Sequence, residues 1–76
     1  MDFLNVNKLL LNIDNIPMEI FEEIETTVNV YNLLLKDESI KEAKTYFKER
    51  LEFLKVKTPN IKEKEIYSKV LSANSV

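Results

Sequence analysis

Apolar residues recur along most of this chain at intervals of three and four, and the intervals divide it into segments. From residue 21 to residue 35 the positions Phe21, Ile24, Val28, Tyr31 and Leu35 are spaced 3, 4, 3 and 4 apart, which places five side chains on one face of an α-helix. The same stretch contains Thr26, Thr27, Val28, Val30 and Tyr31, residue types that favour strands. A strand needs alternation, however, and alternation survives only over Val28-Asn29-Val30. β-Branched residues lower helix propensity by only some tenths of a kcal/mol each, whereas burying large apolar side chains is worth about 1.5–3 kcal/mol apiece as an upper estimate. The spacing therefore predicts a helix over about 17–36, broadened by Ile20, Thr27 and Leu34 on one side.

Punctuation sets the other boundaries. Pro17 and Pro59 each suit the first position of a helix, where the missing N–H is not needed. Ser39-Ile40-Lys41-Glu42 reads as a capping box, so the 41 residues between the prolines divide into two helices. The later one, over about 40–56, carries Ile40, Ala43, Phe47, Leu51 and Leu54 on one stripe. It stops before Thr58-Pro59 because the residue preceding a proline is pushed out of the α region.

A last helix over about 60–73, capped by Asn60 or Thr58, aligns Ile66, Val70 and Ala73 with Tyr67 and Leu71 beside them, and Asn74–Val76 are expected to fray. Phe3, Val6, Leu10 and Ile13, spaced 3, 4 and 3, predict a first helix over about 3–13, ended by Asp14-Asn15. The expected fold is all-α: one domain over residues 1–76, a small antiparallel bundle of three to four helices with short connections.

Composition narrows function more than it identifies it. The 76 residues include no Cys, no His and no Gly. A disulfide framework, a zinc ribbon and a phosphate-cradling glycine loop are thereby excluded. Acid–base and nucleophilic catalysis most often rely on His, Cys or a base-activated Ser. Ser39, Ser68, Ser72 and Ser75 have no histidine to pair with, and the adjacent Glu22 and Glu23 diverge on a helix. No catalytic residue, cofactor or metal site is expected. The N-terminus lacks a basic region and a long apolar run, so neither a signal peptide nor a membrane span is expected, and the chain reads as a cytoplasmic protein. Abundant Asn, Lys, Ile and Glu with a single arginine suggest an AT-rich genome, that of a low-GC bacterium or its phages and plasmids.

Charge is divided along the chain. Residues 1–35 hold six acids and one lysine, giving −5, while residues 36–76 hold seven acids and ten bases, giving +3, which together make the net −2. Lys41, Lys44, Lys48 and Lys55 share a narrow stripe of the third helix, and two readings stand open. The lysines could meet phosphates or an acidic partner, or they could be a solvated face set against the Glu22/Glu25 edge of the second helix. A single arginine, a pI near 5.1 and the neighbouring Glu42, Glu49 and Glu52 weigh against sequence-specific DNA reading.

The remaining signal is surplus apolar surface. Hydrophobic residues make up 45% of the chain, and a chain this small buries only about 60% of its unfolded surface. Val30 and Leu33 fall off the Phe21–Leu35 stripe, where they either pack beneath a neighbouring helix or face a partner. Tyr46 and Phe53, with Arg50 between them, occupy the shoulder of the third helix, and such residues are either core edges or interface anchors. The expected function is a protein-interaction module, a regulator or inhibitor that docks onto a larger protein or its own copy through Val30, Leu33, Tyr46, Arg50 and Phe53. A nucleic-acid-binding regulator using the lysine stripe is the alternative, and an immunity or antitoxin protein is a further one.

Overall fold

A computed structural model of the chain describes residues 3–73. Four helices follow in order among them: α1 (Val6–Leu9), α2 (Met18–Asp37), α3 (Ile40–Lys57) and α4 (Ile61–Ala73). The expected all-α bundle is thus the fold. Its radius of gyration, 11.8 Å, is close to the roughly 11.4 Å expected for a compact domain of this length.

The long helices match the sequence pattern to within a residue or so at each end, and their caps explain why. Ser39 Oγ accepts from the Glu42 N–H at 3.1 Å, while Asn60 Oδ1 accepts from the N–H groups of Lys62 and Glu63 at 2.8 and 3.3 Å. Both satisfy donors that a helix start leaves orphaned. Of the two candidate caps for α4, Asn60 is the one used. Thr58 instead donates its hydroxyl to Glu63 Oε1 at 2.7 Å. Lys64 Nζ donates to the Lys55 carbonyl at 2.8 Å, placing a cation at the negative end of the α3 dipole. The prolines sit slightly further out than expected: Pro17 is the N-cap of α2, with extended backbone, and Pro59 lies two residues before α4.

The first helix is the main departure. Only Val6–Leu9 of the predicted 3–13 is helical. Asn5 adopts an extended backbone (φ −121°, ψ 120°), and its side chain accepts from the N–H groups of Asn7 and Lys8, so the helix starts only at Val6 and Phe3 lies outside it. After Leu9 the hydrogen bonds tighten to Leu11 N–H to Lys8 O and Ile13 N–H to Leu10 O. Asn15 has φ 57°, a left-handed conformation that asparagine tolerates better than most residues. Isolated helices this short are not self-supporting, and asparagines at positions 5, 7, 12 and 15 offer the backbone caps and turns instead. The expectation for Asn74–Val76 concerns residues outside those described.

The core lies between α2, α3 and α4. α2 and α3 run antiparallel, as shown by the Glu23–Arg50 pair and by the Tyr31–Phe47 ring contact: eight residues forward along α2 correspond to three backward along α3. The two rings meet edge to face with centroids 5.4 Å apart, a favoured aromatic geometry. Ile20, Ile24, Thr27, Val28, Tyr31 and Leu35 are buried from α2, with Ala43, Phe47, Leu51 and Leu54 from α3 and Ile66, Tyr67 and Val70 from α4.

Relative to the predicted stripes, Phe21 is half-buried and its place at the centre is taken by Ile20 and Thr27, while Ile40 and Ala73, at helix ends beyond the packed region, are exposed. Thr27 is the polar member of the core, and its hydroxyl donates to the Glu23 carbonyl one turn back at 2.8 Å, which removes the cost of burying it.

Leu51 is fully enclosed, so Leu51→Ala is expected to lower the unfolding free energy by about 2–5 kcal/mol. Val56→Ala, at a residue 79% exposed on the same helix, is expected to change it by less than about 0.5 kcal/mol. Urea titrations of both variants measure the contrast.

Candidate functional site

Eight large apolar side chains among the described residues are exposed, and their positions sort them. Phe3 and Leu11 belong to the segment preceding α2. Met18, Ile40 and Ile61 are each the first residue of a helix, beyond the packed faces. Leu33, Phe53 and Val56 are different, because they lie within α2 and α3 on faces that no other element covers. Leu33 is 59% exposed, and Phe53 and Val56 are three residues apart, which makes them neighbours on the helix surface.

Arg50 links this surface to the bundle. Its guanidinium lies 3.4 Å from Glu23 Oε2 on α2, and its Cζ stands 5.3 Å from the centroid of the Phe53 ring. Lys57 Nζ stands 5.8 Å from the same centroid. Both distances fall within the range at which a cation is attracted by an aromatic face. The Arg50 and Glu23 side chains are 40% and 46% exposed, so solvent screens the pair and its stabilisation is about 0–1 kcal/mol. Its effect is positional: it holds Arg50 against both α2 and Phe53.

Of the five residues singled out by sequence, Arg50 and Phe53 are in contact. Val30 and Tyr46 continue along the same side of the α2/α3 pair, whereas Leu33 lies about 160–180° from the buried Ile24, Tyr31 and Leu35 and so faces outward from α2. At about 100° per residue, Tyr46 and Phe53 lie within about 40° and 60° of Arg50 on α3, and Val30 lies within about 20° of Glu23 on α2. Val30 and Tyr46 are half-buried. With a rise of about 1.5 Å per residue, Val30 and Leu33 stand about 10 and 15 Å beyond Glu23. Arg50, Phe53, Tyr46 and Val30 thus form a strip along one seam, with Leu33 on the outer face of α2.

The lysines lie elsewhere. Lys41, Lys44, Lys48 and Lys55 occupy a sector about 60° wide on α3, turned about 120–180° from Arg50. Lys41, Lys44 and Lys48 are exposed and Lys55 is half-buried. Among the described residues no ion pair joins them to Glu22 or Glu25; the pair that forms between α2 and α3 is Arg50–Glu23. An open depression of about 400 Å³ on α3 is lined by Ser39, Lys41, Glu42, Thr45, Tyr46 and Glu49. These residues come from one helix and the turn before it, so the depression is surface relief and does not enclose a ligand. Among the described residues no group of three or more acidic side chains is placed to hold a metal ion.

Tyr67 of α4 sits behind the Arg50–Glu23 pair. Burial pushes its phenol above the ordinary value near 10; the Glu23 and Glu63 carboxylates raise it further, and the Arg50 guanidinium pulls the other way. Sequence spacing singled out neither Glu23 nor Val56. Glu23 stood out only as the neighbour of Glu22, and the signal for Val56 was its distance of three from Phe53. No protein-family model matches the chain, and neither the curated proteins nor the solved structures contain a match.

The network yields opposed expectations. Glu23→Gln lowers the Tyr67 pKa, whereas Arg50→Gln raises it, as read by tyrosinate absorbance against pH. Because the folded-state pKa is raised, stability is fully present below about pH 10, where the unfolded tyrosine begins to ionise, and is lost as pH rises through the folded value. Glu23→Gln should reduce that alkaline loss.

Proposed function

We propose that this chain is a small non-enzymatic protein-interaction module, acting in the cytoplasm as a regulator or inhibitor, that docks the α2/α3 seam onto a larger protein or onto a second copy. The observation that carries the reading is the exposed Phe53, held between Arg50 and Lys57 and extended by Val56, with Leu33 also exposed on the outer face of α2. An aromatic ring flanked by an arginine is the residue combination enriched at interface anchors. Mid-helix positions carry no local requirement for an exposed leucine or phenylalanine. Immunity and antitoxin proteins are kinds of docking inhibitor and fall within this reading, as does a regulator carried by a phage or plasmid.

The lysine sector supports a second reading, binding to nucleic acid, because Lys41, Lys44 and Lys48 are exposed and aligned. The two readings differ in salt dependence: phosphate binding weakens steeply as salt rises, whereas apolar docking does not.

Affinity capture by the full chain, combined with sedimentation equilibrium at micromolar concentration, tests the first reading. Leu33→Asp and Phe53→Ala are expected to weaken the captured complex or the dimer by roughly 5–30-fold, equivalent to about 1–2 kcal/mol, while helicity is unchanged. A chain that stays monomeric and captures the same proteins with or without these substitutions would remove the seam as a docking site. Lys44→Glu/Lys48→Glu should leave capture intact; loss of binding to single-stranded or duplex DNA at low salt in that variant would favour the second reading.

A further inference from the structure

The segment before α2 is tied to the bundle by one pair of hydrogen bonds and by apolar packing. Asn32 of α2 donates from Nδ2 to the Leu4 carbonyl and accepts at Oδ1 from the Leu4 N–H, both at 2.9 Å. One amide thus satisfies both backbone groups of one residue, and only one orientation of the amide does so. The other hydrogen bonds described for residues 3–16 close within the segment. Leu10, 7% exposed, is its one buried side chain, while Leu4, Val6, Leu9, Ile13 and Ile16 are half-buried against the core. At the other end, Asn15 is left-handed, and Pro17 opens α2 with no side-chain cap. A latch at Leu4, an inserted leucine with half-buried apolar neighbours, and a turn at 15–17 make up the attachment.

The latch reads main chain. A donor and an acceptor presented together to the N–H and C=O of one residue are what a neighbouring strand offers. Recognition of this kind tolerates sequence, leaving specificity to the side chains alongside. Phe21, Glu25 and Val28 lie within about 40° of Asn32 on α2, so an amide clamp and an apolar flank are side by side, on the opposite flank from Glu23 and Val30.

We infer that residues 3–16 are a detachable strap latched by Asn32, and that the flank of α2 beneath it is a docking surface for an extended apolar segment, which the strap of a second copy fills when its own is displaced. The occupant follows from the fit, since the strap carries the complementary Leu4 backbone and Leu10 side chain, and exchange reproduces each contact without a new one. Reciprocal exchange closes as a two-fold dimer. This surface is distinct from the α2/α3 seam, and the inference stands without it.

Hydrogen exchange on the full chain tests detachment. The Leu4 amide is expected to exchange at least about tenfold faster than those of Ile24 and Leu51, and Asn32→Ala should accelerate Leu4 alone; exchange of Leu4 at the core rate would show the strap to be integral and overturn the inference. Docking is tested with the full-length Leu10→Asp variant, whose own strap is disabled, and a fluorescein-labelled synthetic peptide of residues 1–16. Saturable binding is expected, at least tenfold weaker in Leu10→Asp/Asn32→Ala, and absent at the same peptide concentration in the parent chain, whose own strap has the advantage of high local concentration. Loss of helicity in Leu10→Asp, failure of the folded variant to bind at millimolar peptide, or equal binding by the parent each overturns the inference.

Discussion

The structure depends on burying one face of α2 against α3 and α4. Ile24, Thr27 and Val28 are almost wholly enclosed there, although threonine and valine are indifferent helix formers. Local preference costs tenths of a kcal/mol per residue, and enclosure of a large side chain is worth several times more, so tertiary burial decides the conformation. The Tyr31–Phe47 ring contact then fixes how far α3 slides along α2, and that register brings Arg50 to Glu23. The candidate seam depends on both: helix spacing puts Arg50 beside Phe53, and core packing brings that arginine to Glu23.

What the sequence made legible follows from the same physics. Periodicity reports which side chains turn inward, and for α2, α3 and α4 those side chains lie on regular helices whose ends are marked by Ser39, Asn60 and the two prolines. The first segment shows the limit of that inference. Leu10 is buried, and Val6 and Ile13 are half-buried, so its inward pattern is real, yet the backbone that delivers it is extended and turned around one short helix. Spacings of three and four do not distinguish a helix from a strap with a few inward residues. Asparagine density did carry the distinction, because Asn5 and Asn15 serve as a cap and a left-handed turn.

The candidate residues divide in a similar way. Arg50 and Phe53 were legible because residues three apart on a helix must be neighbours. Glu23 and Asn32 were not, since each acts on a group 27 or 28 residues away. No local pattern announces such a contact; it depends on the register of α2 with α3, or on the path of the strap. Ile40 failed as a core residue for a simpler reason. It continues the inward stripe of α3, but at the first turn there is no opposing helix to receive it.

Polar groups hold the ends of this domain while apolar groups hold its middle, and the division bears on function. Ser39, Asn60, Lys64 and the Thr58–Glu63 bond secure helix termini, and Asn32 secures the strap. An apolar residue exposed at a terminus, such as Met18 or Ile61, then lies where packing has already ended. Leu33 and Phe53 lie within α2 and α3 but outside the packed faces of those helices, so a polar residue there would lose nothing that the fold uses. Their side chains contribute least to this chain in isolation, and a partner that encloses them would gain the burial that the bundle forgoes.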